Sequence, residues 1–427
     1  MTQRPSLRTI SLASLLFATA ALNAACSDDA ETTSGSGGES KTDGAGGDTG
    51  GGDAGTGGAG TGGAGGTAAV DPAAPAIGNG DAASVQFVTV FDDDGDLMAT
   101  DLDFHPTRDE LWISLREQPD DTACTQSITA GCFALQGSVA IVTAPASAAP
   151  TSDIEQDPNA WHFMRRPSGI AFGEGDIFAT IHEFRTGNFT DDPSDFIGPS
   201  LWSSDPSIFA NEPPGKNGSH IDMLHETPWG MGIVHDVGNV YWTFNGNVGA
   251  IDRYDFAEPH EVGGDDHTDG TVRRFVEGSL LRAPEIPSHL ALDHATGWLY
   301  IADTGNGRVV RLNTLSGTVG AEFSPYEPMV ESVAMDGAVL EDVVPTGLLA
   351  APSGLAIAGS GDTAVLYVGD RATGTILAYT PAGVEIARLA TDLPGLAGLA
   401  LGPDGSLYAT SYDEGRVVRL VVTPAAP

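Results

Sequence analysis

From residue 84 onward, short apolar runs rich in Val, Ile, Leu and aromatic residues alternate with clusters of Gly, Pro, Asn and Asp. No run keeps a 3.6-residue period over the length of a helix, and the turn-forming borders are those of strands, so the pattern predicts an all-β fold. The runs also repeat. Pro167-Ser-Gly-Ile-Ala-Phe172, Pro287-Ser-His-Leu-Ala-Leu292, Pro352-Ser-Gly-Leu-Ala-Ile357 and Leu396-Ala-Gly-Leu-Ala-Leu401 are copies of one unit. Pro228-Trp-Gly-Met-Gly-Ile233 is a fifth copy and Ala99-Thr-Asp-Leu-Asp-Phe104 a degenerate sixth. After each comes a polar turn and a second run carrying an aromatic, such as Leu111-Trp112-Ile113, Val240-Tyr241-Trp242 or Leu366-Tyr367-Val368. A third run follows, clearest as Arg308-Val-Val-Arg-Leu312 and Arg416-Val-Val-Arg-Leu420. Self-similarity of this kind marks a repeat architecture.

The first 80 residues follow a different pattern. Arg4 and Arg8 precede an uncharged, mostly apolar stretch from Ile10 to Leu22, and Ala24 and Ala25 lie directly before Cys26. This reads as an export signal over residues 1–26. Its apolar run of 13 residues is short of the roughly 20 that span a bilayer core. The small residues before Cys26 resemble a bacterial lipobox, with Asn23 where that motif usually has Leu; secretion with cleavage after an alanine is the alternative. Residues 27–80 are dominated by Gly, Ala, Thr and Asp and lack large apolar residues as far as Ala69. That composition predicts a disordered tether, with the folded domain at 81–427.

The repeat unit, written P-x-G-[IL]-A, turn, [LI]-Y-[VI]-A-D, N-x-R-[IV], resembles that of NHL-repeat β-propellers, and Ile301-Ala-Asp-Thr-Gly-Asn-Gly-Arg-Val309 stands close to the family pattern. The resemblance covers residues 84 to 423 and implies a six-bladed propeller. Each blade is then covered on both faces by its neighbours, which accounts for strands apolar on both faces. The run Ser84-Val-Gln-Phe-Val-Thr-Val90 precedes the first copy, and the last copy ends near Val422 without an outer strand. The former is expected to complete the sixth blade and close the ring.

Charge narrows the partners. The chain has 58 acidic and 19 basic residues, a net charge of −39, which excludes a nucleic acid partner, since a phosphate backbone is bound by clustered Lys and Arg. Lys41 and Lys216 are the only lysines, so no polybasic patch can hold an anionic membrane. Attachment to a membrane is expected through lipid on Cys26, placing a monomer in the bacterial cell envelope. Cys124 and Cys132 remain as a sequence-local pair, expected to form a disulfide in an oxidising compartment.

Propeller geometry places the loops between second and third strands, and between one blade and the next, on a common top rim. Arg116, Arg166, Trp229, Asn245, Asp303, Arg371 and Tyr412 are expected there, beside long loops at 117–136 and 187–199. The inner strands carry Gly169, Gly230, Gly354 and Gly398 near the channel mouth but Asp101 and His289 in two opposite blades. The glycines are expected to leave the mouth open, so that Asp101 and His289 reach a central ion, water or substrate. A lower site for Ca²⁺ or Zn²⁺ is expected from His235, Asp236, Asp265, Asp266, His267 and Asp269, a solvated acidic turn being the alternative. Amidating lyases among NHL propellers hold zinc through histidines that follow the motif proline. Here those places are Ser168, Trp229, Ser288 and Ser353, which speaks against that activity. The leading reading is a binding module for a protein, glycan or small molecule. The alternative is a metal-dependent lyase or lactone hydrolase at the channel mouth, with Asp101, His182, His225 and His289 as candidate catalytic residues.

Overall fold

A computed structural model describes residues 76–94, 97–117, 136–187 and 197–423. The export signal, Cys26, the segment to residue 75 and the expected Cys124–Cys132 disulfide lie outside the described residues, as does most of each long loop. No helix among the described residues is long and apolar enough to cross a membrane.

The described residues form six sheets, antiparallel apart from one parallel pairing at the edge of the third. Blade one contains Leu97–Phe104, Glu110–Glu117, Gly137–Thr143 and Thr151–Glu155, and blade two Pro167–Phe172, Ile177–His182, Ser200–Ser203 and His220–Met223. Blade three begins with Gly230–His235, Val240–Asn245, Ala250–Asp255 and Thr271–Phe275; blade four holds Leu290–Asp293, Trp298–Asp303, Arg308–Asn313 and Leu340–Val344. Blade five is Pro352–Ala358, Val365–Asp370, Thr375–Tyr379 and Glu385–Ala390. Blade six has inner strands Leu396–Leu401, Leu407–Ser411 and Arg416–Val422, and its outer strand is the N-terminal Val85–Asp92. Val85 pairs with Val422 and Asp92 with Arg416 in antiparallel register, so the ring closes between the two ends of the domain. The fold is a six-bladed β-propeller. Its packing reaches back to Ile77, which is fully buried between blades five and six.

The core is divided among the blade interfaces. Six large apolar clusters lie one between each neighbouring pair of blades, and the second-strand aromatics occupy them. Trp112 of blade one meets Phe172 and Phe178 of blade two at ring-centroid distances of 5.4 and 5.0 Å, and Phe104 meets Tyr408 of blade six at 5.0 Å. A buried aromatic at each interface supplies large apolar area where sheets must lie face to face.

Blade four departs from the simple repeat. Between its third and outer strands the chain leaves the sheet and forms a hairpin, Thr318–Glu322 with Glu331–Asp336. The second strand of that hairpin pairs in parallel with Thr271–Phe275, widening blade three to six strands. The edge strand of blade three is thereby covered.

The motif that names the repeat locks the ring from inside. Five of the inner strands shift register within or just after it, between Ala99 and Asp101, Pro167 and Gly169, Gly230 and Ile233, Pro352 and Leu355, and Leu396 and Leu399. At these bulges adjacent blades bond directly. Ser168 Oγ donates to Gly230 O at 2.7 Å, Ser353 Oγ to Pro287 O at 2.7 Å, and His289 N to Ser353 O at 3.0 Å. Of the serines at the lyase zinc positions, Ser168 and Ser353 thus bond neighbouring backbone, and the Ser288 hydroxyl pairs with that of Thr304 at 2.7 Å. The glycines do not leave the mouth open, as the sequence suggested, because other atoms fill the space: the Ile181 side chain at Gly169 and Gly230, and neighbouring backbone at Gly354 and Gly398. A Cβ on Gly354 would lie 2.0 Å from Ala397 O, and one on Gly398 would lie 2.8 Å from the Asp101 Cα. Gly354→Ala should therefore destabilise the domain by about 2–3 kcal/mol through overpacking, read from urea denaturation. An unchanged midpoint would mean that blades five and six can part without cost.

Candidate functional site

Asp101, on the inner strand of blade one, and His289, just before that of blade four, meet across the channel with Oδ1 and Nδ1 3.6 Å apart. Each is buried and tied to blade two: Asp101 Oδ2 accepts from Ile170 N at 3.1 Å, and His289 Nε2 lies 3.1 Å from Ser168 O. Asp103, two residues on, accepts from Phe172 N at 2.8 Å. Burial pushes the Asp101 carboxyl up to about 8 and that of Asp103 up to about 7, and it holds His289 down to about 4. Below them a cavity of about 250 Å³ is walled by Leu290, Leu292, Leu355, Ile357, Leu399 and Leu401. The other two candidates for catalysis are elsewhere. His182 is buried in blade two, its ring spanning Gly198 O at 3.0 Å and Thr180 Oγ1 at 3.1 Å. His225 lies beside Glu327 and His267. Asp101 and His289 therefore converge without His182 or His225.

Above the channel the top is closed by charge. Arg116 donates to Glu183 Oε2 at 2.9 Å, to Glu285 Oε2 at 3.0 Å and to the Tyr412 hydroxyl. Arg166 also bonds Glu285, and Arg282 donates to Glu183 Oε1 at 3.2 Å. Residues from blades one, two and six and from the blade three to four connection thus meet over the axis. Arg116, Arg166 and Glu183 are buried, whereas the Glu285 side chain is 48% exposed. Burial would raise the Glu285 carboxyl, yet Arg116 and Arg166 hold it below the usual carboxylate range. Three residues of these connections, Arg166, Trp229 and Glu285, have φ of 49°, 58° and 69°, a region that costs a side chain energy unless the surroundings impose it. The Arg282 guanidinium stacks 4.5 Å from the half-buried Trp229 ring, and Arg371 lies 4.4 Å from that of Tyr412.

The remaining rim candidates hold the scaffold. Asn245, Asp303 and Asp370 occupy equivalent places at the ends of second strands, and each ties down the connection entering its own blade. Asn245 Nδ2 donates to Glu226 O at 3.0 Å, Asp303 Oδ1 accepts from Leu281 N at 2.8 Å, and Asp370 Oδ2 accepts from Ala350 N at 2.8 Å. Glu285 and Arg282 were missed because their connection matches no repeat position. An acidic residue just before the Pro287 motif was the one available signal.

The lower metal set is dispersed. His235 Nε2 lies 2.9 Å from Gly238 O within its own turn, and Asp236 accepts from Trp242 Nε1 at 3.1 Å. Asp266 bonds Thr268, Asp269 accepts from Glu258 N at 3.2 Å, and Asp265 is exposed. Of the six, His267 alone joins a group of potential ligands among the described residues: His220 and His260 on one side, His225 and Glu327 on the other. The loop 256–270 turns back along the outer strand of blade two, where Gly263 N donates to His220 O at 2.7 Å. This parts His267 from His235 and Asp236.

No protein family matches the sequence, and no curated protein matches it. Among solved structures the chain is similar to an auxiliary nutrient binding protein from Bacteroides thetaiotaomicron, at 11% identity over 76% of this chain and 69% of that one, with a TM-score of 0.48. It is also similar to a calcium-binding regucalcin from Agrobacterium tumefaciens, at 15% identity over 79% and 94% of the two chains, TM-score 0.46. A streptogramin B lyase shares 9% identity over 79% and 97%, TM-score 0.43. Likeness this distant carries nothing about ligand or activity.

Asp101 gives the channel a pH signature. Its carboxyl rises from 3.8 unfolded to about 8 folded, so between those values the folded chain keeps a proton that the unfolded chain releases, and stability falls as pH rises. His289, lowered from 6.5 to about 4, acts in the opposite sense only below 6.5. From pH 6.5 to 8 the aspartate acts without that opposition. Asp101→Asn keeps an oxygen for Ile170 N–H, so the wild type should lose about 1–2 kcal/mol relative to the variant over that interval. Paired urea curves at the two pH values measure this, and parallel behaviour would show that Asp101 is ionised throughout.

Proposed function

We propose that the propeller is a binding module whose top centre receives a carboxylate carried by a protein or glycan partner. One observation carries this: in a chain of net charge −39, three guanidinium groups gather over the axis against two carboxylates, and one of those, Glu285, is half-exposed. Arg116 and Arg166 hold Glu285 as they would hold a ligand carboxylate, with charge-assisted hydrogen bonds. Arg282 and Trp229 present the accessible edge of the cluster, and such Arg and Trp pairs are frequent anchors of binding energy. Export and attachment through lipid on Cys26 complete the reading, supported by the charged start, short apolar run and small residues that precede that cysteine.

A second reading, a lyase or hydrolase acting in the channel, is favoured by Asp101 and His289 meeting at a cavity that Asp103 and aliphatic side chains also line. The metal-dependent form of that reading has less support, since no group of three potential ligands gathers in the channel among the described residues.

Screening the full chain against uronate-bearing oligosaccharides and acidic peptides tests the binding reading. For a ligand so found, Trp229→Ala and Arg282→Gln should each weaken affinity by about tenfold or more, and Glu285→Gln, which removes the internal competitor, should strengthen it. Unchanged affinity in all three would sink the assignment to the top centre.

A further inference from the structure

Apart from the top centre and the channel, four histidines collect where blades two, three and four meet at the outer side of the ring. His220 opens the outer strand of blade two, His260 and His267 lie in the loop 256–270 of blade three, and Glu327 lies in the hairpin inserted from blade four. One ring nitrogen from each of His220, His260 and His267 lies within 4.8 Å of the other two.

Each of these rings keeps a nitrogen without a hydrogen-bond partner. His260 uses Nδ1 on Glu261 O at 2.7 Å, and its Nε2 is buried without a partner. His267 uses Nδ1 on Glu327 Oε2 at 3.0 Å, and its Nε2 is likewise buried without one. His220 is 0% exposed and stacks at 3.6 Å on Phe163; the Asn217 backbone lies beside its ring, and at least one ring nitrogen has no hydrogen-bond partner. Buried polar atoms are normally paired, and orphaned nitrogens on three converging rings share one explanation. A carbonyl and a carboxylate on the far nitrogens are the outer-shell partners that fix the tautomer of metal-bound histidine. Glu327 is itself positioned by His225, whose backbone N donates to its Oε1 at 2.8 Å.

We propose that His220, His260 and His267 bind one zinc ion, oriented through Glu327 and the Glu261 carbonyl. Imidazole nitrogens suit zinc and its transition-metal neighbours, whereas Ca²⁺ takes oxygen ligands. Zinc–nitrogen bonds of about 2.0–2.1 Å place tetrahedral ligands roughly 3.4 Å apart, so small rotations of the rings close the site. Three protein ligands leave the fourth position to water or another ligand. The ion fastens the blade three loop to blade two directly and to the blade four hairpin through Glu327. This site shares only His267 with the loop motif visible in the sequence and uses none of that loop's carboxylates.

The test is a zinc titration of the full chain, stripped with chelator, against a competing chromophoric chelator, with cysteines alkylated so that thiols cannot contribute. One equivalent of zinc should bind, raise the thermal midpoint, and resist displacement by excess Ca²⁺. His260→Ala and His267→Ala should each weaken binding at least 100-fold, and Glu327→Gln should weaken it 10- to 100-fold. His260 is only half-buried, so its variant should keep the far-UV circular dichroism of the metal-free protein, and Co²⁺ should give it no four-coordinate absorption while giving that band in the wild type. Absence of stoichiometric zinc, or binding undiminished in both histidine variants, would overturn the proposal.

Discussion

The inner strands of a propeller must approach one another closely enough to close the channel without burying unpaired backbone, and in this chain that constraint governs the rest. In five blades a bulge interrupts the repeated motif of the inner strand, in four of these a glycine leaves room for close packing, and in two a serine hydroxyl bonds a neighbouring carbonyl. Orphaned backbone groups at such a contact would each cost about 1–3 kcal/mol. Asp101 and His289 sit where glycine sits elsewhere, so their side chains extend into the space that the glycines leave to their neighbours in the other blades. Their encounter over the channel follows from ring geometry.

The same economy of contacts shapes the top face. Second-strand residues at equivalent places, Asn245, Asp303 and Asp370, hold the connections into their own blades. With those connections fixed, the side chains left to converge over the axis are Arg116, Arg166, Glu183, Arg282 and Glu285. In a chain of net charge −39 the top centre is built around buried guanidinium groups, a local contrast of sign on which the proposed carboxylate binding rests. Positive φ at Arg166, Trp229 and Glu285 shows that the surroundings impose the arrangement on the backbone.

Legibility of the site followed the repeat. Asp101 and His289 could be placed opposite one another because each interrupts a glycine at a known step of the unit. Their neighbours could not, since Ile170 and Ser168 become partners only through the bulges. The blade four hairpin was invisible for the same reason: Glu331–Asp336 reads as one more short strand, and nothing local says that it pairs in parallel with Thr271–Phe275. Glu327 therefore reached His267 unannounced, 60 residues away in sequence. The acidic loop misled because density of carboxylates in sequence is no measure of where they point; Asp266 and Asp269 spend their oxygens on nearby hydroxyl and backbone groups.

Blade number and closure by the N-terminal run were legible in the sequence alone, because six copies of a β-rich unit with one strand to spare at the start bury both faces of every sheet when the ring closes. Which polar residues meet was decided by tertiary structure. Convergence over the axis, across the channel and between blades two, three and four joins positions far apart in the chain, and such distances are set by backbone bulges and an inserted hairpin that no periodicity records.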